Sequence, residues 1–360
     1  MKKNNKIKKL LEPSWATKFF APKIKKYWPG AKKLLSCKIE PLRIFLDYER
    51  LICRYQFTFL NYKKKREKKI IILKAQKFKR GFLWPPRIGG VKREYLALTF
   101  LTNRKLNKII PRPLGFYPQI PAYAYEEMPG FVLKQLLPKN HRLKIKEFLS
   151  YIPAAALTIK KVHEIKERPP YATLKTKEKI NRQLLDSLNL IKKFYPAGYP
   201  KFRKMTQVLE ILRKKYQNYL YNERSFSLTH GDFQMDNILV NKNKKIILLD
   251  WADSDFFNPL DDIGAFFIQT ELHLMYVLPQ KYQPLFEKVK KIFTKNYFPD
   301  GLGPVQQMQI DYFAAKDVLR IITFISFTQK NWQPVKYSKM MDNLLELVER
   351  KIKNLEKKYL

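Results

Sequence analysis

Three oxygen-bearing side chains close together in the chain, Asp232, Asn237 and Asp250, are the residues best suited by type and spacing to do chemistry. They lie in the run Leu228-Thr229-His230-Gly231-Asp232-Phe233-Gln234-Met235-Asp236-Asn237-Ile238-Leu239-Val240, then a lysine-rich turn over 241–245, then Ile246-Ile247-Leu248-Leu249-Asp250-Trp251. Two short apolar runs joined by a polar turn predict a hairpin. A hairpin puts Asn237 at the entry of one strand and Asp250 at the exit of the other, at the same end, with Asp232 facing them from the preceding loop. A carboxylate to accept or orient a hydroxyl proton, plus hard oxygen ligands for magnesium bridging phosphates, is the set that phosphoryl transfer needs. Taken one at a time, Asp and Asn are also ordinary turn and cap residues. The combination is what points to catalysis.

The elements that must position these groups are also readable. At 360 residues and 43.2 kDa, 45% hydrophobic and 14% aromatic, the chain is long enough for two lobes with a substantial core. Residues 1–36 mix lysines and prolines with Trp15, Phe19, Phe20, Tyr27 and Trp28, and read as a basic N-terminal extension with one short helix, its aromatics packed on something. β-favouring runs at 42–46, 52–60 and 70–73, separated by charged turns, predict an antiparallel meander. A Gly- and Pro-containing loop at 81–90 leads into a helical pattern over 91–102, where Val91, Tyr95, Leu98 and Leu101 share a face with Glu94. A carboxylate among apolar neighbours is costly without a partner, and Lys74, at the end of the 70–73 run, is the candidate. A short strand at 123–126 runs into Pro129-Gly130, the expected lobe boundary; beyond it amphipathic segments follow at 145–163, 180–194, 202–221 and 311–327, and a last one carries Met341, Leu344, Leu345, Val348, Ile352 and Leu355 at helical spacing. The expected organisation is an extension at 1–36, an N-lobe at 37–128 that binds nucleotide, and a helical C-lobe at 129–360 that carries the catalytic loop.

His-Gly-Asp at 230–232, Asn237, and Asp250-Trp251 after a hairpin resemble the aminoglycoside phosphotransferase and choline kinase-like family, which has the protein-kinase-like fold. Asn258-Pro259-Leu260-Asp261-Asp262-Ile263-Gly264 resembles the family's segment after the metal aspartate, which aligns Asp262 with a residue that anchors the catalytic loop. The segment at 156–165, with Val162-His163, is similar to the family helix ending in a Leu-His-like pair, and Tyr125-Glu126-Glu127-Met128-Pro129-Gly130 to its hinge. The resemblance implies an α+β bilobal fold, with a small antiparallel N-lobe containing one helix. It implies Asp232 as catalytic base, Asn237 and Asp250 as magnesium ligands, and Lys74 with Glu94 on the α- and β-phosphates of ATP. Backbone groups of Glu126 and Met128 would meet the adenine. His230 reads as a brace for the loop and His163 as a packed helix histidine, while Asp253 and Asp255 are weak candidates for substrate or a second magnesium. No glycine-rich loop stands between the first two strands; that turn reads Asp47-Tyr48-Glu49-Arg50, with Arg50 a candidate to replace backbone donors. Asp250 and Asp262 are only 12 residues apart, too close for the activation segment of a protein kinase, so a small-molecule acceptor is expected.

Composition narrows the rest. Two cysteines cannot form a disulfide framework, no His/Cys spacing matches a zinc site, and a reducing cytoplasm is the expected compartment. Apolar runs fall short of the roughly 20 residues a membrane span requires. The net charge of +41 repels polycations at long range, which favours a neutral or anionic hydroxyl acceptor such as a sugar, an amino alcohol or a membrane-linked glycan. It also allows weak nonspecific contact with nucleic acid or anionic membrane, and the rival reading is a pseudokinase or basic scaffold using residues 1–36.

Overall fold

The computed structural model describes residues 7–45, 50–76, 90–138, 143–172, 177–332 and 334–360. The turn at 47–50 lies outside these residues apart from the backbone of Arg50, and the loop at 81–89 lies outside them altogether. The chain forms two compact units, one from residues 1–129 and 247–253, the other from 130–246 and 254–360.

The first unit is built on a five-stranded antiparallel sheet of order β1-β2-β3-β5-β4: β1 (Ala31–Phe45), β2 (Arg50–Asn61), β3 (Arg66–Gln76), β4 (Pro113–Tyr117) and β5 (Ala122–Glu126). Strict alternation marks β2 as an interior strand with one face on the core: Leu51, Cys53, Tyr55, Phe57 and Phe59 are buried on one face, and the residues between them are half-buried. That face is covered by the chain's own start, through α1 (Pro13–Phe20) and α2 (Ile24–Tyr27). The Phe20 ring meets Tyr55 and Phe57 edge-on, Trp28 stacks on Phe59, and the Tyr55 hydroxyl donates to the Leu10 carbonyl at 2.5 Å. Each such buried ring contributes about 2–3 kcal/mol. Residues 7–30 therefore belong to the sheet's core, and the boundary drawn from the sequence at residue 36 falls inside β1. Lys74 of β3 points the other way, toward α3 (Gly90–Asn103) and its Glu94.

The second unit is mainly helical, with α4 (Ile145–His163), α5 (Lys177–Phe194), α6 (Tyr199–Lys215), α7 (Gln217–Leu220), α8 (Leu260–Val277), α9 (Tyr282–Tyr297), α10 (Pro304–Trp332) and α11 (Pro334–Tyr359). Short strands hold its loops: β6 (Phe131–Val132) pairs antiparallel with β8 (Ile238–Val240), and β7 (Ser227–Thr229) with β10 (Asp255–Phe257). The strand β9 (Ile246–Leu248) carries the chain from the second unit into the first, so the predicted hairpin is present and Asp250 follows its exit. Helix α8 is buried on nearly every side, and the rings of Phe233, Phe266 and Phe293 pack in its neighbourhood. Gly264 lets α10 approach: a Cβ there would stand 2.7 Å from the Ala314 backbone nitrogen. Among the described residues no helix is long and apolar enough to cross a membrane.

Candidate active site

In the first unit the structure brings together Lys74, Glu94 and Asp250. Antiparallel pairing with β2 and β5 fixes Lys74 near the end of β3, and its ammonium lies 2.7 Å from Glu94 Oε1 and 3.5 Å from Asp250 Oδ1. Glu94 is buried, as the helical face predicted, and Lys74 nearly so; the Asp250 side chain is 38% exposed and forms the open side of the group. Burial alone would push the Lys74 ammonium down, but the carboxylates of Asp250 and Glu94 outweigh it and hold its pKa above the ordinary lysine range. Burial likewise pushes the Glu94 carboxyl up, and the Lys74 ammonium draws it part of the way back. Asp250 has a backbone φ of +61°, in the left-handed region that Asp tolerates better than most residues. The Trp251 indole N–H donates to the Leu248 carbonyl at 3.0 Å and closes this reversal.

Also in the first unit, the Glu126 carboxylate accepts from Arg112 Nε at 2.9 Å and from the Trp28 indole at 3.5 Å, and Glu127 accepts from Arg54 at 2.8 and 3.0 Å. Both side chains are thus tied to the sheet and its N-terminal cover. Met128 is half-buried in the segment that follows.

In the second unit Asp232 and Asn237 meet. Asn237 Nδ2 donates to the Asp232 carbonyl at 2.8 Å and to its Oδ2 at 2.9 Å, so Asn237 engages Asp232 through its amide nitrogen. Gln234 Nε2 donates to the same Oδ2 at 3.0 Å. The loop is held from behind by Asp262, nearly fully buried in the first turn of α8. Its Oδ2 accepts from the His230 backbone N–H at 2.6 Å and from His163 Nε2 at 2.9 Å, and its Oδ1 from the Gly231 N–H at 2.8 Å. Gly231 has φ +78°, a conformation glycine adopts without strain. With the Nε2 hydrogen directed at Asp262, His163 Nδ1 faces the Tyr297 hydroxyl at 2.7 Å as its acceptor; burial pushes that phenol's pKa up, consistent with its acting as donor. His230 is buried, and its Nδ1 accepts from the Asp232 N–H at 3.3 Å. Asp236 pairs with Lys134 at 2.7 Å, and Asp255 is buried in β10, its Oδ1 accepting the Phe256 N–H at 3.1 Å.

The sequence reading missed Arg320 of α10, whose NH1 and NH2 donate to Asp232 Oδ1 at 3.0 and 3.1 Å. It also missed Asp317, which holds that guanidinium one turn away. Neither leaves a local signal, since 88 residues separate Arg320 from Asp232.

Each unit offers a hard oxygen donor of the kind magnesium takes, a carboxylate at Asp250 in the first and a carboxamide oxygen at Asn237 in the second. Among the described residues no group of three or more His, Cys, Asp or Glu is placed to hold a metal by itself.

The fold is protein-kinase-like. Solved structures similar to it include the choline kinase of Streptococcus pneumoniae, 13% identical over 94% of this chain and 98% of that one with a TM-score of 0.55. A spectinomycin phosphotransferase in complex with ADP and spectinomycin is 11% identical over 96% and 98%, with a TM-score of 0.55. The ethanolamine kinase of Plasmodium vivax is 13% identical over 88% and 83%, with a TM-score of 0.54. No curated protein sequence matches the chain. A model of the phosphotransferase enzyme family matches residues 84–285, more than half of the chain, and the chain belongs to that family. It is a small-molecule kinase, as the resemblance at His230 to Gly264 implied.

Proposed function

We propose that this enzyme transfers the γ-phosphoryl group of ATP, with magnesium, to a hydroxyl of a small molecule such as a sugar, an amino alcohol or a glycan. The observation that carries the reading is the buried Lys74 ammonium set between Glu94 and Asp250, the latter at the exit of the hairpin in a left-handed backbone conformation. A lysine kept charged by two carboxylates is a phosphate-binding group, and Glu94 orients it so that its charge faces the nucleotide. Asp250 and the Asn237 amide oxygen would hold magnesium, which when bound neutralises phosphate charge. Asp232 takes the acceptor hydroxyl as a hydrogen-bond donor and orients its oxygen toward the γ-phosphorus. The resemblance of 125–130 to the family's hinge implies that the backbone of Glu126 and Met128 would serve the adenine, while the side chains of Glu126 and Glu127 are tied to Arg112 and Arg54. The nucleotide bound in the spectinomycin phosphotransferase supports the choice of ATP. The net charge of +41 disfavours polycationic acceptors.

The test is ATP consumption across a panel of sugars, polyols, amino alcohols and sugar phosphates, with and without magnesium. Turnover should require magnesium and vanish in Asp250→Ala. Undiminished turnover by that variant would reject the assignment.

A further inference from the structure

Asp232 is held on both carboxylate oxygens. Its Oδ2 accepts from Gln234 Nε2 at 3.0 Å and Asn237 Nδ2 at 2.9 Å, both on its own loop, while its Oδ1 accepts from Arg320 NH1 and NH2 at 3.0 and 3.1 Å. The other edge of the guanidinium, through Nε and NH2, is bonded to Asp317. The Asp317 side chain is only 6% exposed, and its Oδ2 also accepts from Gln269 Nε2 at 3.5 Å. Asp317 and Arg320 are three residues apart on α10, so one helix presents both an anchor and the arm it holds. All of these groups belong to the second unit.

A planar guanidinium forked between two carboxylates fixes the direction of each; a lysine ammonium at the same place is a point charge without that geometry. If Oδ1 were released, the Asp232 carboxylate could turn about its terminal bond, and the hydroxyl bonded to it would lose alignment with the phosphorus. We propose that Arg320, anchored by Asp317, is a positioning residue for phosphoryl transfer, holding the Asp232 carboxylate in the orientation that meets the acceptor hydroxyl. The proposal rests on the reading that Asp232 meets that hydroxyl, and it adds a residue from a distant helix to the reaction's geometry.

The probe is steady-state hydrolysis of magnesium-ATP by the full chain, with water standing in for the alcohol. The water oxygen bonds to Pγ, the Pγ–O bond to ADP breaks, and the water proton leaves to solvent. Arg320→Gln should lower kcat about tenfold to a hundredfold, the scale of a misplaced reacting group, and leave KM for magnesium-ATP within about twofold. Arg320→Lys should be as slow as Arg320→Gln, and guanidinium ion, but not ammonium, should restore part of the rate to Arg320→Ala. An unchanged kcat, a loss carried wholly by KM, full activity in Arg320→Lys, or no rescue by guanidinium would each overturn the proposal. A second measurement does not need turnover: melting temperatures of Arg320→Gln, Asp232→Ala and the double variant. Coupling predicts that the double variant loses less than the sum of the two singles. Additive losses overturn the proposal. A wild-type protein that consumes magnesium-ATP neither with water nor with any member of the acceptor panel would count against the function proposed above, and the melting cycle would still decide whether Arg320 holds Asp232.

Discussion

Replacing Asp262 by alanine removes the one carboxylate that fastens the loop carrying Asp232 to α8. Three donors lose their partner at once: the backbone N–H groups of His230 and Gly231 and the His163 Nε2. The site is closed to solvent, with Asp262 1% and His230 0% exposed, so water does not readily replace the lost acceptor. Each buried donor left unpaired costs about 1–3 kcal/mol. Partial relaxation absorbs some of the sum, and the expected loss is about 3–5 kcal/mol, toward the low end of three such costs. At about 2–4 °C per kcal/mol for a unit of this size, the melting temperature should fall by about 6–20 °C. Asp262→Asn keeps one oxygen but turns an N–H group toward other donors, and should fall between the variant and the wild type. Scanning calorimetry at fixed pH and protein concentration reads both. A melting temperature of Asp262→Ala within about 2 °C of the wild type, less than 1 kcal/mol of change, would refute the reasoning that this carboxylate holds the loop.

Three further outcomes are expected. Lys74→Met should lower kcat/KM for magnesium-ATP by about a hundredfold to a thousandfold, the scale for removing one preorganised donor, as measured by steady-state kinetics. Burial pushes the His273 imidazole below its ordinary value of 6.5, so on acidification the unfolded chain takes up a proton before the folded one does. Stability should therefore fall as pH drops through 6.5 toward the lower folded value, and melting curves of His273→Gln should show a flatter profile from about pH 7 to about pH 5. Gly264→Ala places a Cβ within 3 Å of the Ala314 and Phe313 backbone, so α8 and α10 must separate; overpacking of this kind costs about 1–3 kcal/mol, read as a drop in melting temperature.

The parts of the fold legible in the sequence are those with a local period or a local cost. The alternation in β2, the helical face of α3 and the hairpin before Asp250 are contained within a few residues each. The Lys74–Glu94 pair was found because a carboxylate on an apolar face needs a counter-charge, and the counter-charge stood at the end of the adjacent strand. Helix α8 gave no such signal: it is buried on nearly every side, Asp261, Asp262 and Glu271 included, so no solvated polar stripe marks its period. The strands β7 and β10 are three residues each, too short for alternation to register. Arg320 and Asp317 lay unnoticed inside an amphipathic segment, since their meaning depends on a loop far away in the chain. The same holds for His163, read as a packed histidine, which is buried but also bonded to Asp262.

The arrangement of the first unit has a consequence for biosynthesis. Phe20 and Tyr27 are synthesised roughly a hundred residues before Tyr117, Ala122 and Ala124, which share their cluster. At about 5–20 residues per second, the aromatic leading end waits for about 5–20 s before the last strand that completes its seat exists. During that interval it is a sticky nascent segment, and a chain lacking it would present a sheet with its aromatic face bare.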